Sequence, residues 1–279
     1  MNFQSHFSFK EKMLFSIGTL FMKIAFKLNF FQLQRTDNFF RSLKKLGMKF
    51  EKQELCLKII DNNRDIFLRQ RNSSDSKVFK QIFFEKEYYP VIDCILANDL
   101  KIDNIIDAGS NIGLTTLFLL NYFPNAKIVC LEPDPGNFDQ LKKNLLKYDE
   151  TVTFLNKALW FNNDPLYLDT GFRDGNDWAK SVTRTKASNT KVDSTTIHEI
   201  SSQFNFQIID ILKIDIEGSE NELFKMENNI NFLNMVKVLV IEIHDEFNCR
   251  DRIYNILKTK NFFLFNSGEL TIAINGEYI

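Results

Sequence analysis

Charged side chains crowd two short stretches that each close an apolar run. Lys213-Ile-Asp-Ile-Glu-Gly218 ends the run beginning at Ile208, and Ile241-Glu-Ile-His-Asp245 ends the run beginning at Val236. In a strand, alternate residues share a face. Lys213, Asp215 and Glu217 therefore point one way, and Leu212, Ile214 and Ile216 the other. Glu242 and His244 share a face by the same rule. Burying several charges at a strand end is costly without a purpose. If the two runs are neighbouring parallel strands, Asp215, Glu217, Glu242 and His244 converge. Such a set can accept a proton, with His244 or a carboxylate as the base. It can instead hold a hard divalent cation that acidifies a bound hydroxyl. A structural ion-pair network and a satisfied core histidine are the alternatives without chemistry. Glu220 and Glu222 read as helix-start residues, where negative charge is favourable. His6 and His198 have no comparable setting.

A third segment, Asp107-Ala-Gly-Ser-Asn-Ile-Gly113, follows a short apolar run and opens a helical pattern. Gly109 permits a sharp turn and close backbone approach to a ligand, and Gly113 permits close packing. Asp107 stands at the carboxyl end of a strand, where open α/β sheets bind ligands. A dinucleotide fingerprint requires glycine where this chain has Asn111, which disfavours a pyrophosphate. An acidic strand end with G-x-x-x-G suits a ligand that carries an amino acid and no phosphate. The next strand ends at Glu132-Pro133, and a carboxylate there accepts both hydrogen bonds of a ribose diol.

These residues must be positioned by a sheet. Asn104 to Ala108, Lys127 to Leu131, Thr151 to Leu155, Ile208 to Ile214 and Val236 to Ile243 read as strands, separated by helical spacing at Leu114 to Tyr122, Gly136 to Lys147, Asn221 to Asn228 and Arg250 to Lys260. That alternation predicts βαβ units and a mainly parallel sheet. Two last strands are expected near Phe262 to Phe265 and Leu270 to Ile274. Asp164 to Val192 reads as an inserted hairpin or loop. Residues 1 to about 100 read as a helical, irregular extension, with one helix from Val78 ending near Pro90 and a second from Val91 to Asn98. The apolar run from Met13 to Met22 is too short to span a bilayer, and the longer stretch from Met13 to Phe31, with Phe15, Phe21, Phe26 and Phe30 among lysines, reads as an amphipathic helix. It is either a packing helix or a peripheral contact with the inner face of a membrane.

The 279 residues suffice for one large core, and the net charge of −1 supplies no field for recruiting nucleic acid. Cys56, Cys94, Cys130 and Cys249 form no close pair in the sequence, which fits a reducing, cytoplasmic compartment.

With these motifs in hand, the chain resembles the FkbM family of S-adenosylmethionine-dependent methyltransferases from about Asn104 to its carboxyl end. DAGSNIG, LEPDP from Leu131, KIDIEGSE from Lys213 and IEIH from Ile241 carry the resemblance. It implies a Rossmann-like class I methyltransferase sheet of seven mostly parallel strands with helices on both faces. It also implies O-methylation of an acceptor, often a sugar or polyketide-type hydroxyl, in pathways such as those building surface glycans. By position, Asp107, Gly109, Ser110, Asn111, Gly113 and Glu132 would bind S-adenosylmethionine, with Asn156 and Ala158 on the adenine side. Asp215, Glu217 and His244 would face the acceptor. Tyr88 and Tyr89 would cap the cofactor pocket or merely pack; in the insertion, Arg173, Asp177 and Trp178 read as the lining of a sugar site, an aromatic face with polar flanks, or Trp178 packs in the core. Two other readings stand beside this one. An NAD-dependent oxidoreductase is opposed by Asn111, and a non-catalytic module retaining the fold is opposed by the intact charged strand ends.

Overall fold

The computed structural model describes residues 39–52, 56–61, 64–69, 73–169, 181–184 and 190–279. The chain divides into two compact units, Met1–Arg71 and Asn72–Ile279. The described part of the first unit contains an antiparallel sheet of β1 (Lys49–Lys52), β2 (Cys56–Asp61) and β3 (Arg64–Arg69). Leu57, Ile59, Ile66 and Leu68 are buried at strand spacing. This corrects the expectation of a helical and irregular stretch for the described residues among 49–69, whereas residues 39–45 are helical as expected. The stretch from Met13 to Phe31 lies outside the described residues.

The second unit begins with α1 (Asp75–Phe79), which runs on as a π-type turn to Phe84. Next comes α2 (Tyr89–Ala97). Pro90 sits in the first turn of α2, where its missing N–H costs nothing, and so starts this helix instead of ending the previous one. Both helices belong to the second compact unit, Asn72–Ile279.

The central sheet is built from β4 (Asn104–Ala108), β5 (Lys127–Leu131), β6 (Val152–Leu155), β12 (Ile209–Ile214), β13 (Val236–Glu242), β14 (Phe262–Ser267) and β15 (Leu270–Asn275). Its seven strands lie in the order β14-β15-β13-β12-β4-β5-β6. β15 runs antiparallel to both its neighbours, and the other pairs are parallel. β12 is buried along its whole length and β4 along all but its first residue, as expected for strands covered on both faces.

The connections follow from local chemistry. α3 (Leu114–Tyr122) leads from the glycine turn to β5. α4 (Pro135–Leu145) starts where the Asp134 side chain accepts the Asn137 N–H at 2.9 Å and Pro135 supplies a pre-set first turn. α5 (Ile197–Phe204) carries a capping box of Thr196 and Glu199. α6 is a single turn, Glu220–Leu223, shorter than the expected helix to Asn228, and α7 (Arg250–Thr259) precedes the final hairpin. Between β6 and α5 the chain forms β7 (Ala158–Leu159), β8 (Leu166–Asp169), β9 (Ser181–Thr183), β10 (Lys191–Val192) and β11 (Ser194–Thr195). β8 to β10 make a small antiparallel sheet, matching the expected insertion. Arg173, Asp177 and Trp178 lie outside the described residues.

Strand order reverses between β4 and β12, because chain continues outward from β4 to β5 and β6 on one side and from β12 to β13 on the other. Open α/β sheets bind ligands at such a point, beyond the carboxyl ends of the strands. Among the described residues, no helix is long and apolar enough to cross a membrane.

Candidate active site

The glycine turn is stitched to the neighbouring strand. The N–H groups of Gly109 and Ser110 both donate to the Leu131 carbonyl, at 3.0 and 2.9 Å, and the Ser110 hydroxyl donates to the Asp107 carbonyl at 2.6 Å. Gly109 has φ +77°, and a Cβ there would lie 1.7 Å from the carbonyl oxygen of Asp215. The turn and the end of β12 can touch only because residue 109 has no side chain. Gly113 packs against the Leu141 and Leu145 side chains of α4, so its smallness serves close packing between helices.

Asp107 is fully buried beneath this turn. Its Oδ2 accepts the Thr116 hydroxyl at 2.6 Å, and its Oδ1 lies 3.2 Å from Lys213 Nζ. Lys213 also donates to the Gly109 carbonyl at 2.6 Å and stands 3.7 Å from Asp215 Oδ2. Burial works against the Lys213 ammonium, but the charges of Asp107 and Asp215 outweigh it and hold its pKa above the ordinary lysine value. Asp107 is thus an internal support of the turn. Its carboxylate is engaged with these groups and not displayed at the surface of the cleft.

Glu132, at the end of β5, reaches back across the turn. Its Oε2 accepts the Asn111 N–H at 2.8 Å and its Oε1 the Asp134 N–H at 2.9 Å. Burial pushes its carboxyl up to about 7, against the lowering effect of those two backbone donors. Glu132 lines a hollow with Gly109, Asn111, Pro133, Asn137 and Ala158, which Leu159, Val182 and Ile216 extend with apolar surface. Asn156 buttresses this wall, its amide donating to the carbonyls of Glu132 and Pro133 at 2.8 and 3.2 Å. Sequence reading missed Asn137, Leu159 and Val182. Val182 belongs to the inserted sheet, and no local pattern ties it to the glycine turn.

A second hollow shares Gly109, Asn111, Asp215 and Glu217 with the first. It continues past Ser110 and Thr115 to Lys77, Gln81, Glu87, Tyr88, Glu242 and Glu269. Tyr88 is buried in this wall, whereas Tyr89 packs on Phe118 and Tyr122. Glu87 and Glu269 come from distant parts of the chain and went unnoticed in the sequence. Burial and the charges of Glu269 and Asp215 push the Glu87 carboxyl up to about 7. Burial and the charge of Asp215 push Glu242 up to about 9.

The two charged strand ends do meet, because β12 and β13 pair in parallel. His244 is buried, with Nδ1 3.2 Å from Glu220 Oε1 and Nε2 3.4 Å from Glu217 Oε2 and 3.7 Å from Glu242 Oε1. Glu220, expected to act at a helix start, is fully buried; its Oε1 also accepts the Ile216 N–H at 3.0 Å. The helix-start reading of Glu220 is therefore incomplete, whereas Glu222 pairs with Lys225 at 2.7 Å nearby. Burial works against the imidazolium, yet contacts with Glu217 and Glu220 and the charge of Asp215 outweigh it, pushing His244 up to about 11. At neutral pH, with nothing else bound, this ring is a cation and has no free lone pair with which to accept a proton. It stands behind Glu217 and Glu242, which line the cleft.

The sheet has the strand order and the single reversed strand of the class I methyltransferase fold. A family model described as the methyltransferase FkbM domain matches residues 107–264, more than half of the chain. The chain belongs to the FkbM methyltransferase family, and S-adenosylmethionine is the cofactor expected of that family. It is 26% identical to the methyltransferase sdnD of Sordaria araneosa over 216 residues, covering 66% of this chain and 81% of that protein. It is 22% identical to methyltransferase 1 of Beauveria bassiana over 182 residues, covering 57% of this chain and 71% of that one. Among solved structures, a methyltransferase FkbM from Methylobacillus flagellatus shares 16% identity with a TM-score of 0.39, over 62% of this chain and 43% of that one.

Proposed function

We propose that this chain transfers the methyl group of S-adenosylmethionine to a hydroxyl oxygen of a sugar, in a glycan or a lipid-linked glycan precursor. One observation carries the reading: a single cleft at the strand-order reversal joins a half-apolar hollow beside Glu132 to a carboxylate-rich hollow beside Asp215 and Glu217. When bound, S-adenosylmethionine supplies an electrophilic methyl carbon on a sulfonium. The residues present fit that group. Glu132 stands where a ribose diol needs an acceptor, and Pro133, Ala158, Leu159 and Val182 offer apolar surface to an adenine. Asp107 contributes by holding Lys213 and the turn in place.

The chain's own residues then have two tasks. They must align the acceptor oxygen with the methyl carbon, and they must take the hydroxyl proton as the new carbon–oxygen bond forms and the carbon–sulfur bond breaks. Asp215 and Glu217 line the cleft, and one of them receives that proton. His244, charged and set behind them, orients Glu217 and balances its charge. A wall bearing Glu87, Glu242 and Glu269 favours a neutral polyol, since a carboxyl group hydrogen-bonds sugar hydroxyls whether ionised or, as for Glu242 near neutral pH, protonated. The same wall disfavours nucleic acid as the acceptor. A cytoplasmic enzyme acting on a lipid-linked sugar would also give the amphipathic stretch from Met13 to Phe31 a role at the inner face of the membrane.

Calorimetric titration with S-adenosylmethionine, its demethylated product and NAD tests the cofactor. Binding of the first two alone supports the reading, and binding of NAD alone defeats it. Transfer of labelled methyl to neutral oligosaccharides or lipid-linked sugars, against peptide and RNA controls, then tests the acceptor. Label in the peptide or RNA alone would reject a sugar.

A further inference from the structure

We propose that Asp215, Glu217 and His244 bind one divalent cation, of the manganese or zinc kind, at the wall of the cleft. The proposal deepens the methyl-transfer reading and rests on it for the cation's use.

Geometry carries it. One donor atom from each of the three residues lies within 4.8 Å of the other two. Ligand atoms about 2.2 Å from a shared ion stand roughly 3–4.4 Å apart, so side-chain movements of up to about 1 Å complete the set. The His244 side chain is 1% exposed, and its Nε2 makes no hydrogen bond of ordinary geometry although it faces this cluster. The other ring nitrogen is fixed. Nδ1 faces Glu220 Oε1, and that carboxylate is itself anchored by the Ile216 N–H. A carboxylate behind the far nitrogen of a histidine is the arrangement that aims the near nitrogen at a metal. Here it presents Nε2 to Asp215 and Glu217.

The backbone is shaped to the same end. β12 stops at Ile214, and Glu217 and Gly218 take φ +52° and +93°. A non-glycine residue in this region is strained. A Cβ on Gly218 would meet the Phe247 ring at 2.2 Å, so the turn is tight as well as strained. It returns the Glu217 carboxylate toward β13 and His244. Asp215 is divided in its contacts: Oδ2 faces Lys213, and Oδ1 is left for another partner. Glu242 lies 3.7 Å from Nε2 and is a fourth candidate donor. The cluster holds several carboxylates around one imidazole, so a doubly charged ion is the species it lacks. An imidazole among carboxylates favours manganese, cobalt or zinc over magnesium, which seldom takes nitrogen. Placed there, the ion would lie beside the acceptor hydroxyl and stabilise its alkoxide.

The test is titration of the metal-stripped full chain with Mn2+, followed by the loss of the free-ion electron paramagnetic resonance signal. One ion per chain is expected. His244→Gln and Glu217→Gln should each weaken binding at least tenfold, and Glu220→Gln about 10- to 100-fold. Asp93→Asn, on the exposed side of α2, should leave it unchanged, and circular dichroism should report folded variants. No uptake, or uptake that His244→Gln and Glu217→Gln both leave intact, overturns the site. S-adenosylmethionine is titrated into the same samples. Binding of S-adenosylmethionine to a chain that takes up no Mn2+ overturns the metal site and leaves methyl transfer standing. Mn2+ uptake with no S-adenosylmethionine bound upholds the metal site and overturns the cofactor reading.

Discussion

Asp107 and Lys213 form a 3.2 Å ion pair beneath the glycine turn, both buried, on adjacent strands in direct register. Removing one member strands the other charge in a poorly solvated place. Lys213→Met should lower unfolding free energy by about 3–5 kcal/mol, the range for breaking a buried pair. Asp107→Ala should abolish S-adenosylmethionine binding, because Lys213 and Thr116 lose the group that holds the turn. Denaturation of both single variants and the double variant gives the coupling. A double variant no more stable than the sum of the singles would show that the pair is not coupled.

Gly109→Ala is expected to be more damaging than its size suggests. The added methyl would stand 1.7 Å from the Asp215 carbonyl and force β4 and β12 apart at their ends. Cofactor affinity should be lost and the melting temperature should fall by several degrees. Gly47→Ala is the control: φ is +71°, but no atom of the described residues beyond its chain neighbours lies within 4 Å of the added Cβ. It should cost only about 1–2 kcal/mol of backbone strain and leave cofactor affinity unchanged.

The contrast between Gly109 and Glu220 shows what a sequence conveys and what it hides. Gly109 sits in a motif whose neighbours along the chain already imply a strand, a turn and a helix. The parallel strands, the apolar alternation at β12 and the convergence of Asp215, Glu217, Glu242 and His244 follow from similar local patterns. Glu220 obeyed a local rule for helix starts, and that adequate explanation concealed its second role behind His244. Glu87, Glu269 and Val182 reach the cleft through tertiary packing, which leaves no periodic trace. β2 and β3 carried a period-two signal in Leu57 and Ile59 and in Ile66 and Leu68, overlooked among lysines and arginines.

Glu132→Gln tests the ribose side of the cleft. The carboxylate accepts two backbone N–H groups, from Asn111 and Asp134. A glutamine amide accepts with its oxygen but opposes the second donor with an NH2 group. One buried donor is left unsatisfied, at a cost of about 1–3 kcal/mol. That cost falls on the fold; the affinity for S-adenosylmethionine should fall roughly 10- to 150-fold because the ribose diol loses a hydrogen bond to a charged acceptor, about 1.5–3 kcal/mol. Titration calorimetry with an unchanged Kd would exclude Glu132 from the cofactor site.

Stability of the metal-free chain should fall as pH rises from about 5 to 9. Glu87 and Glu132 are pushed up to about 7, Glu242 to about 9 and His244 to about 11. Each group then binds more protons folded than unfolded across this window, so the slope of unfolding free energy with pH is negative. The His244 contribution is complete below its unfolded value of about 6.5 and is lost as pH climbs toward the folded value. Thermal melts at low salt measure this, and a melting temperature that rises over the window would contradict the direction of these shifts. Glu217, Glu220, Glu242 and Asp215 face or influence the imidazole, so Mn2+ should flatten the slope by replacing its proton.

His244→Gln separates support of the acceptor side from binding of the cofactor. The ring contacts Glu217, Glu220 and Glu242 and lies behind the cleft wall, away from the hollow beside Glu132. Its loss leaves Glu217 poorly oriented and three carboxylates without their shared cation. Turnover should fall by one to three orders of magnitude, the scale of misplacing a catalytic group. The Kd for S-adenosylmethionine should stay within about threefold, well under the tenfold that 1.4 kcal/mol represents. Asp215→Asn should behave differently, lowering both, because Asp215 lines the two hollows at once. Single-turnover methyl transfer beside calorimetry resolves the two effects. If His244→Gln kept wild-type turnover, neither orientation of Glu217 nor a cation at Nε2 would be needed for the reaction.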